Sequence, residues 1–131
     1  MFAVVAVLIG GALGTAARAG LDLWIHHDDG GFPLDTLLIN VAGSLVLGFL
    51  VARVWPIAPA WVRAGVGPGL LGGFTTFSAV MASMVTLAAS GQVLLALLYI
   101  VMTMVFGFAA AALGLFLGRR RDAAPIVEAD E

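Results

Sequence analysis

Long apolar stretches alternate with short polar segments along nearly the whole chain. The apolar stretches cover about residues 1–25, 34–55, 61–89 and 93–117. A helix rises about 1.5 Å per residue, so roughly 20 apolar residues cross the hydrocarbon core of a bilayer. The pattern therefore predicts an all-α membrane protein with four transmembrane helices in contact with membrane lipid.

Polar or helix-breaking segments separate these stretches. Residues 26–33 and 56–59 contain proline, which disfavours a continued helix, and residues 90–92 form a short turn. Residues 119–131 begin with three arginines, and the charged residues that follow them are acidic. We therefore expect a single four-helix domain over residues 1–118, followed by a polar tail.

The composition supports a membrane location. Of the 131 residues, 62% are hydrophobic and 11% are charged, whereas soluble domains carry about 25% charged residues. Cysteine is absent, which excludes disulfides and thiolate metal sites. Residues 17–19 resemble a signal-peptide cleavage site, but no positive residue precedes the apolar run, so we interpret the first stretch as a transmembrane helix.

Glycine and proline crowd the first half of the third stretch. They are Gly65, Gly67, Pro68, Gly69, Gly72 and Gly73. Backbone groups released from a helix need partners in protein or water, because lipid offers none. We therefore predict an interrupted third helix that is buried at a subunit interface. The alternative is a continuous helix whose glycines permit close packing.

The arginines are distributed unevenly between the two sides of the membrane. With four spans, the N-terminus, the second connection and the C-terminus share one side. That side carries Arg53, Arg63, Arg119, Arg120 and Arg121, whereas the connections on the other side carry neither lysine nor arginine. The positive-inside rule then predicts a plasma-membrane protein with both termini in the cytoplasm.

The sequence contains no recognisable catalytic constellation. His26 and His27 are adjacent to Asp28 and Asp29 in the first connection, where a solvated loop is a better interpretation than a metal site. No phosphate-binding loop, nucleophile elbow or metal-binding helix motif is present. These features argue against an enzyme.

A few polar residues lie within the predicted spans. They are Arg18, Asn40, Ser44, Thr75, Thr76, Ser78, Tyr99 and Thr103. Apart from the arginine, all are neutral hydrogen-bond donors, and a pathway lined by such donors without carboxylates favours a small anion over a cation. Each also has a structural interpretation: hydroxyls bond to their own helix, an amide joins two helices, and an arginine extends to the interface.

Three blocks of sequence resemble the signature blocks of the FluC (CrcB) fluoride channels. They are GALGTAAR at residues 11–18, TLLINVAGS at residues 36–44 and GGFTTFS at residues 72–78. Each block alone is a weak signal, but their order and spacing are specific, and the resemblance extends over nearly the whole chain up to the tail.

The resemblance implies that the chain is one half of an antiparallel, dual-topology-type dimer with two fluoride pathways along its interface. It also implies a structural sodium ion (Na+) at the dimer centre that is bound and not transported. By position, the backbone carbonyls of Gly72 and Thr75 are this subunit's sodium ligands. Carbonyl oxygens suit a hard cation, and a helix break makes them available.

The same resemblance assigns residues to the fluoride pathway. Asn40 is expected to donate its amide to fluoride, and Phe77 to present the positive edge of its ring. Ser78 is expected to lie on the pathway. Tyr99 and Thr103, one helical turn apart on the fourth span, match the start of a track of hydroxyl groups.

Arg18 and Thr76 are expected to support this pathway without conducting directly. The implied activity is a fluoride-selective channel that exports the anion passively and lowers cytoplasmic fluoride. An inside-negative membrane potential drives an anion outward, so the export needs no coupling to another energy source.

Two features of the chain depart from the expected pattern. Val80 stands where the family usually has a second phenylalanine, and Gly107 and Ala111 interrupt the hydroxyl track. The arginine asymmetry also disfavours insertion in both orientations, which an antiparallel homodimer requires. We therefore predict pairing with a related, oppositely inserted subunit, with homodimerisation as the alternative and the activity of both pathways left open.

Two other functions fit the size and span count. A proton-coupled exporter of the small multidrug type needs a titratable carboxylate in the membrane, but Asp22 lies near the end of its span and the first glutamate is Glu128. A structural helper would use Gly43, Gly48 and the other helix glycines for packing alone. That alternative leaves the Thr-Thr-Phe-Ser block without a role.

Overall fold

Four helical spans make up the fold. The computed structural model describes residues 1–24 and 31–119, and the spans are Phe2–Trp24, Leu34–Arg53, Ala60–Ala89 and Val93–Gly118. Each is long and apolar enough to cross a membrane. The prediction of an all-α, multi-pass membrane protein is therefore confirmed. The paired histidines and aspartates of the first connection, and the tail from residue 120 onward, lie outside the described residues.

The third span consists of several segments. Helix α3 (Ala60–Ala64) leads into a π-helical segment (Gly65–Leu71), and the short helix α4 (Gly72–Phe74) follows. Pro68 lies inside the π-helical segment, where its missing N–H and its ring prevent regular α-helical hydrogen bonding. Thr75 and Thr76 then have extended backbone, with ψ angles of 152° and 122°. Helix α5 (Phe77–Ala89) begins after them.

The spans pack as two close pairs. Helix α1 (Phe2–Trp24) lies against the first half of the third span, where a Cβ atom on Gly14 would stand 2.9 Å from the nitrogen of Phe74. Helix α2 (Leu34–Arg53) lies against helix α6 (Val93–Gly118), where a Cβ atom on Gly114 would stand 2.8 Å from the nitrogen of Phe49. Glycine at both positions lets two backbones touch, which gives van der Waals contact where lipid supplies no hydrophobic driving force.

A small core joins α2, α5 and α6 near the beginning of α2. Its buried members are Leu37, Val80, Leu87, Ala96 and Tyr99. The Phe32 ring meets the Tyr99 ring edge to face, with centroids 5.4 Å apart and an interplanar angle of 86°, which is a favourable aromatic geometry. This core fixes the position of Tyr99 relative to the first turn of α2.

One face of α6 is buried and the remainder is exposed. The buried residues recur at spacings of three, four or seven positions, which is one or two helical turns: Ala96, Tyr99, Thr103, Ala110, Gly114 and Gly118. Large apolar side chains such as Phe108 and Phe116 cover the rest of the helix and are exposed. Such a surface suits contact with lipid or with another membrane-embedded helix.

Candidate functional site

The Asn40 side chain holds the two extended residues of the third span. Its amide nitrogen donates to the Thr76 carbonyl at 2.9 Å, and its carbonyl oxygen accepts from the Thr76 N–H at 2.8 Å. The two residues are 36 positions apart in the chain. An amide nitrogen carries two N–H groups, so this arrangement commits one of them to the backbone.

Thr76 also caps the helix that follows. Its hydroxyl oxygen accepts from the Ala79 N–H at 3.1 Å and lies 3.0 Å from the Ser78 hydroxyl. A threonine in this position satisfies one of the N–H groups that the first turn of a helix leaves without a partner. The preceding Thr75 hydroxyl donates back to the Leu71 carbonyl at 2.8 Å.

These hydrogen bonds redirect two backbone donors. In a continuous helix the Thr76 N–H would donate to the Gly72 carbonyl, and the Ala79 N–H would donate to the Thr75 carbonyl. Here the first donates to Asn40 and the second to the Thr76 side chain. The two carbonyls that lose their helical donors are those that the sequence comparison assigned to sodium. Neutral carbonyl oxygens at a helix break fit that ion chemically.

An open groove of about 510 Å³ lies beside this break, between α2, the third span and α6. Of the residues predicted to bind sodium or to lie on the fluoride pathway, those that line it are Asn40, Gly72, Thr75, Phe77 and Thr103, and the supporting residue Thr76 lines it as well. The Phe77 side chain is 63% exposed, so its ring is available to a partner or an ion. The structure thus brings most of the predicted residues to one surface.

Three predicted residues lie off this groove. Ser78 is exposed beside the Thr76 hydroxyl, Tyr99 is fully buried in the small core, and Arg18 is half-buried on α1. The Nε atom of Arg18 is enclosed without a hydrogen-bond partner among the described residues. Three positions that depart from the family pattern do line the groove. They are Val80 on α5, and Gly107 and Ala111 on α6.

Two buried hydroxyls have no hydrogen-bond partner in the described part of the chain. They belong to Tyr99, which is 0% exposed, and Thr103, which is 5% exposed. Burying a hydroxyl without a hydrogen bond costs about 1–3 kcal/mol, so an enclosed hydroxyl of this kind suggests a transient partner such as water or an ion. The two lie one turn apart on α6.

Sequence reasoning overlooked Asp35 and Thr36 in the first turn of α2. The Asp35 side chain is only 5% exposed, and the Thr36 hydroxyl donates to its Oδ2 atom at 3.2 Å. From the sequence alone, a carboxylate at the edge of an apolar stretch is expected to be exposed to solvent. The burial of this segment depends on the folded chain, because Leu37, two residues further along α2, packs into the small core with Val80 and Tyr99.

Comparison with known proteins agrees with these features. Residues 5–115 match the family described as CrcB-like protein, Camphor Resistance (CrcB). The chain is 45% identical over 120 residues to the fluoride-specific ion channel FluC 2 of Bacillus subtilis strain 168, an alignment that covers 88% of this chain and 86% of that protein.

Two further relatives carry related names. The chain is 41% identical to the fluoride-specific ion channel FluC of Paracoccus denitrificans, over 86% of this chain and 91% of that one. It is 44% identical to the fluoride-specific ion channel FluC 1 of Leifsonia xyli subsp. xyli, over 88% and 85%. With the family match over residues 5–115, these identities confirm the resemblance found in the three sequence blocks, and the chain belongs to the CrcB-like family.

Proposed function

We propose that this chain is one subunit of a fluoride-selective channel that passively exports fluoride through the plasma membrane and lowers its cytoplasmic concentration. The observation that carries the proposal is the groove in which Asn40, Phe77 and Thr103 meet beside the helix break. These groups offer an amide N–H, the positive edge of a ring and a hydroxyl, all of which interact favourably with a small anion. The relatives named as fluoride-specific channels supply the identity of that anion.

The lining of the groove favours passage over tight retention of the ion. It contains no ionised side chain among the described residues. Neutral donors stabilise an anion less strongly than an arginine or lysine would, and conduction requires binding that is weak enough to permit release. The proposed pathway continues from the groove along the hydroxyls of Thr103 and Tyr99, and it also includes Ser78, whose hydroxyl lies 3.0 Å from that of Thr76.

Sodium has a structural role in this proposal. Gly72 and Thr75 would hold it through the carbonyls whose helical donors are redirected to Asn40 and Thr76. A bound cation supplies positive charge near the groove, which favours anions. Replacing sodium with a large organic cation on both sides of a vesicle is expected to reduce fluoride flux, and flux that persisted unchanged would contradict the sodium assignment.

The proposed assembly is an antiparallel dimer whose interface includes the groove and the interrupted third span. An antiparallel pair would place two grooves face to face and close each against lipid. Because the arginines lie on one side, both termini are proposed to be cytoplasmic and the partner to be a related chain of opposite orientation. The numerals in the names FluC 2 and FluC 1 are consistent with organisms that encode more than one such chain.

Orientation can be measured directly because the chain has no native cysteine. Single cysteines introduced at Gly31 and at Arg119 would report the two sides of the membrane to an impermeant thiol reagent. Labelling of position 31 alone from outside the cell is expected. Equal labelling of both positions would indicate both orientations and favour the homodimer.

Fluoride efflux from liposomes tests the function itself. Passive efflux that excludes chloride supports the channel, whereas proton-driven exchange of an organic cation would indicate a small-multidrug-type exporter. If the chain alone is silent but conducts when a related chain is added, the unlike pair is supported. Silence under both conditions would leave only the structural helper.

A further inference from the structure

Ser44 lies on α2 one helical turn beyond Asn40, and both residues line the groove. The Ser44 side chain is half-buried. In a helix shielded from water, a serine hydroxyl commonly donates to a backbone carbonyl one turn earlier. None of the hydrogen bonds among the described residues involves the Ser44 hydroxyl. Its proton is therefore available to a ligand in the groove.

Most other polar side chains of the groove are committed to the protein backbone. The Thr75 hydroxyl donates to a carbonyl one turn earlier at 2.8 Å, and the Thr76 hydroxyl caps α5. One N–H group of Asn40 donates to the Thr76 carbonyl. The Thr103 hydroxyl has no partner in the described part of the chain, and Thr103 lines the groove from α6. Ser44 and Thr103 thus provide the uncommitted hydroxyls, one on each of two walls.

Helices α2 and α6 run in the same direction where they pack together. A Cβ atom on Gly107 would stand 3.8 Å from the Ser44 hydroxyl oxygen, and one on Gly114 would stand 2.8 Å from the Phe49 nitrogen. The contacting positions therefore advance together along the two helices. Ser44 and Gly107 form one layer of the groove.

The layer one turn earlier contains the Asn40 amide and the Thr103 hydroxyl. In the Ser44 layer, α6 contributes Gly107, the position at which its track of hydroxyl groups stops. Outside the backbone of α6 itself, the Ser44 hydroxyl is the nearest atom to the space that a side chain at Gly107 would occupy. The hydroxyl that α6 lacks in this layer is therefore present on α2, across the same gap.

We propose that Ser44 supplies the hydroxyl donor that follows Thr103 on the anion pathway, in place of one that a side chain at Gly107 would provide. The pathway then crosses from α6 to α2 at this layer. A neutral hydroxyl binds a small anion without the strong retention that a charged group would cause. The inference rests on the proposed fluoride-channel function, and it names a further anion-binding residue of the same site.

Moving the hydroxyl from α2 to α6 tests this assignment. Ser44→Ala removes the hydroxyl, and the addition of Gly107→Ser places one on the opposite side of the gap. The addition of Gly107→Ala to Ser44→Ala is the matched control, because it fills the gap with a methyl group alone. Thr86→Val controls for the loss of a hydroxyl outside the groove lining, since the Thr86 hydroxyl donates to the Ala82 carbonyl at 3.1 Å.

Each variant is reconstituted in liposomes in the same way as the wild type, as the chain alone or with the partner that supports conduction, and compared at equal amounts of folded protein. Ser44→Ala is expected to lower fluoride efflux about tenfold at low fluoride, because one hydrogen bond to the ion is lost. It is also expected to raise the fluoride concentration that gives half-maximal flux.

The remaining variants separate the hydroxyl from its surroundings. The double variant with Gly107→Ser is expected to recover most of the wild-type rate, whereas the double variant with Gly107→Ala is expected to remain as slow as Ser44→Ala. Thr86→Val is expected to conduct like the wild type. The dependence of flux on sodium concentration is expected to be the same in all variants.

The outcomes distinguish failure of this inference from failure of the channel proposal. If the wild type conducts and Ser44→Ala conducts at the same rate, Ser44 does not bind the anion and only this inference fails. Equal recovery in both double variants, or recovery in neither, would indicate that Ser44 acts through packing and would also overturn it.

A changed sodium dependence of Ser44→Ala, with an unchanged half-maximal fluoride concentration, would assign the hydroxyl to the sodium site and overturn the inference. If the wild type is silent with and without a partner, the channel proposal and this inference fail together. If Ser44→Ala does not fold, Ser44→Cys decides the question, because a thiol is a weak donor and the same loss of flux is expected.

Discussion

The pair of hydrogen bonds between Asn40 and Thr76 offers the sharpest test of the structure. Replacing Asn40 with alanine removes an acceptor for the Thr76 N–H at 2.8 Å and a donor to the Thr76 carbonyl at 2.9 Å. Hydrogen bonds between membrane helices contribute about 0.6 kcal/mol on average and up to about 1.7 kcal/mol. Two such bonds give an expected destabilisation of about 1–3 kcal/mol.

Much of this loss is expected to be local. The Thr76 N–H would lose the acceptor that Asn40 provides, so its opening to solvent is expected to become about five- to a hundredfold more frequent, as about 1.4 kcal/mol corresponds to a factor of ten. Hydrogen–deuterium exchange of the peptide that contains residues 72–80, in detergent or nanodiscs, measures this change directly.

Ser44→Ala is the appropriate control for Asn40→Ala. Ser44 lies one turn further along α2 and lines the same groove, and the substitution likewise removes a small polar group. Exchange in residues 72–80 should then remain at the wild-type rate. The reasoning is refuted if Asn40→Ala leaves this exchange unchanged, because the amide would then not be what holds the two extended residues.

Three further predictions concern packing, capping and the hydroxyl pathway. Gly114→Ala is expected to destabilise the protein by about 1–3 kcal/mol, because the added methyl group would overlap the α2 backbone. Gly107→Ala is the control, because its added methyl group would be 3.8 Å from the Ser44 hydroxyl, and it should leave the melting temperature in detergent unchanged. Equal melting temperatures for the two variants would contradict the close packing of α2 against α6. Thr76→Val is expected to cost about 1 kcal/mol through the lost cap of α5, and Thr76→Ser should restore it in the same melting assay. Thr103→Val should preserve or increase stability, since it removes a buried hydroxyl that has no partner among the described residues. The same variant should lower fluoride efflux about tenfold if that hydroxyl binds the passing anion. Unchanged efflux would show that Thr103 is not part of the pathway.

Some polar residues could be identified from the chain alone because a membrane span tolerates very few of them. Asn40, Thr75, Thr76 and Thr103 stand out against an apolar background, where an unpaired polar group is costly. The partners of these residues could not be identified in the same way. The sequence predicts that the Asn40 amide donates to the anion. In the structure, one of its N–H groups donates to the Thr76 carbonyl and its oxygen accepts from the Thr76 N–H.

The glycines likewise could be identified from the sequence, whereas their contacts could not. Their number in the third span is compatible with either a break or close packing. In the structure the backbone is extended at residues 75 and 76, and Gly14 of α1 contacts the backbone of the third span. A glycine permits both outcomes equally. Which one occurs depends on the surface that packs against it.

The sequence by itself determined the four spans, the one-sided distribution of arginines and the set of polar residues inside the membrane, because these follow from local composition and from the thickness of a bilayer. Only the tertiary structure decided that Asn40 binds the backbone of Thr76, that this bond redirects the helical donor of the Gly72 carbonyl, and that the side chain of Asp35 is buried. The bonds between Asn40 and Thr76 join residues that are 36 positions apart in the chain. The packing of α2 against the third span and α6 brings them together, and no local pattern encodes that packing.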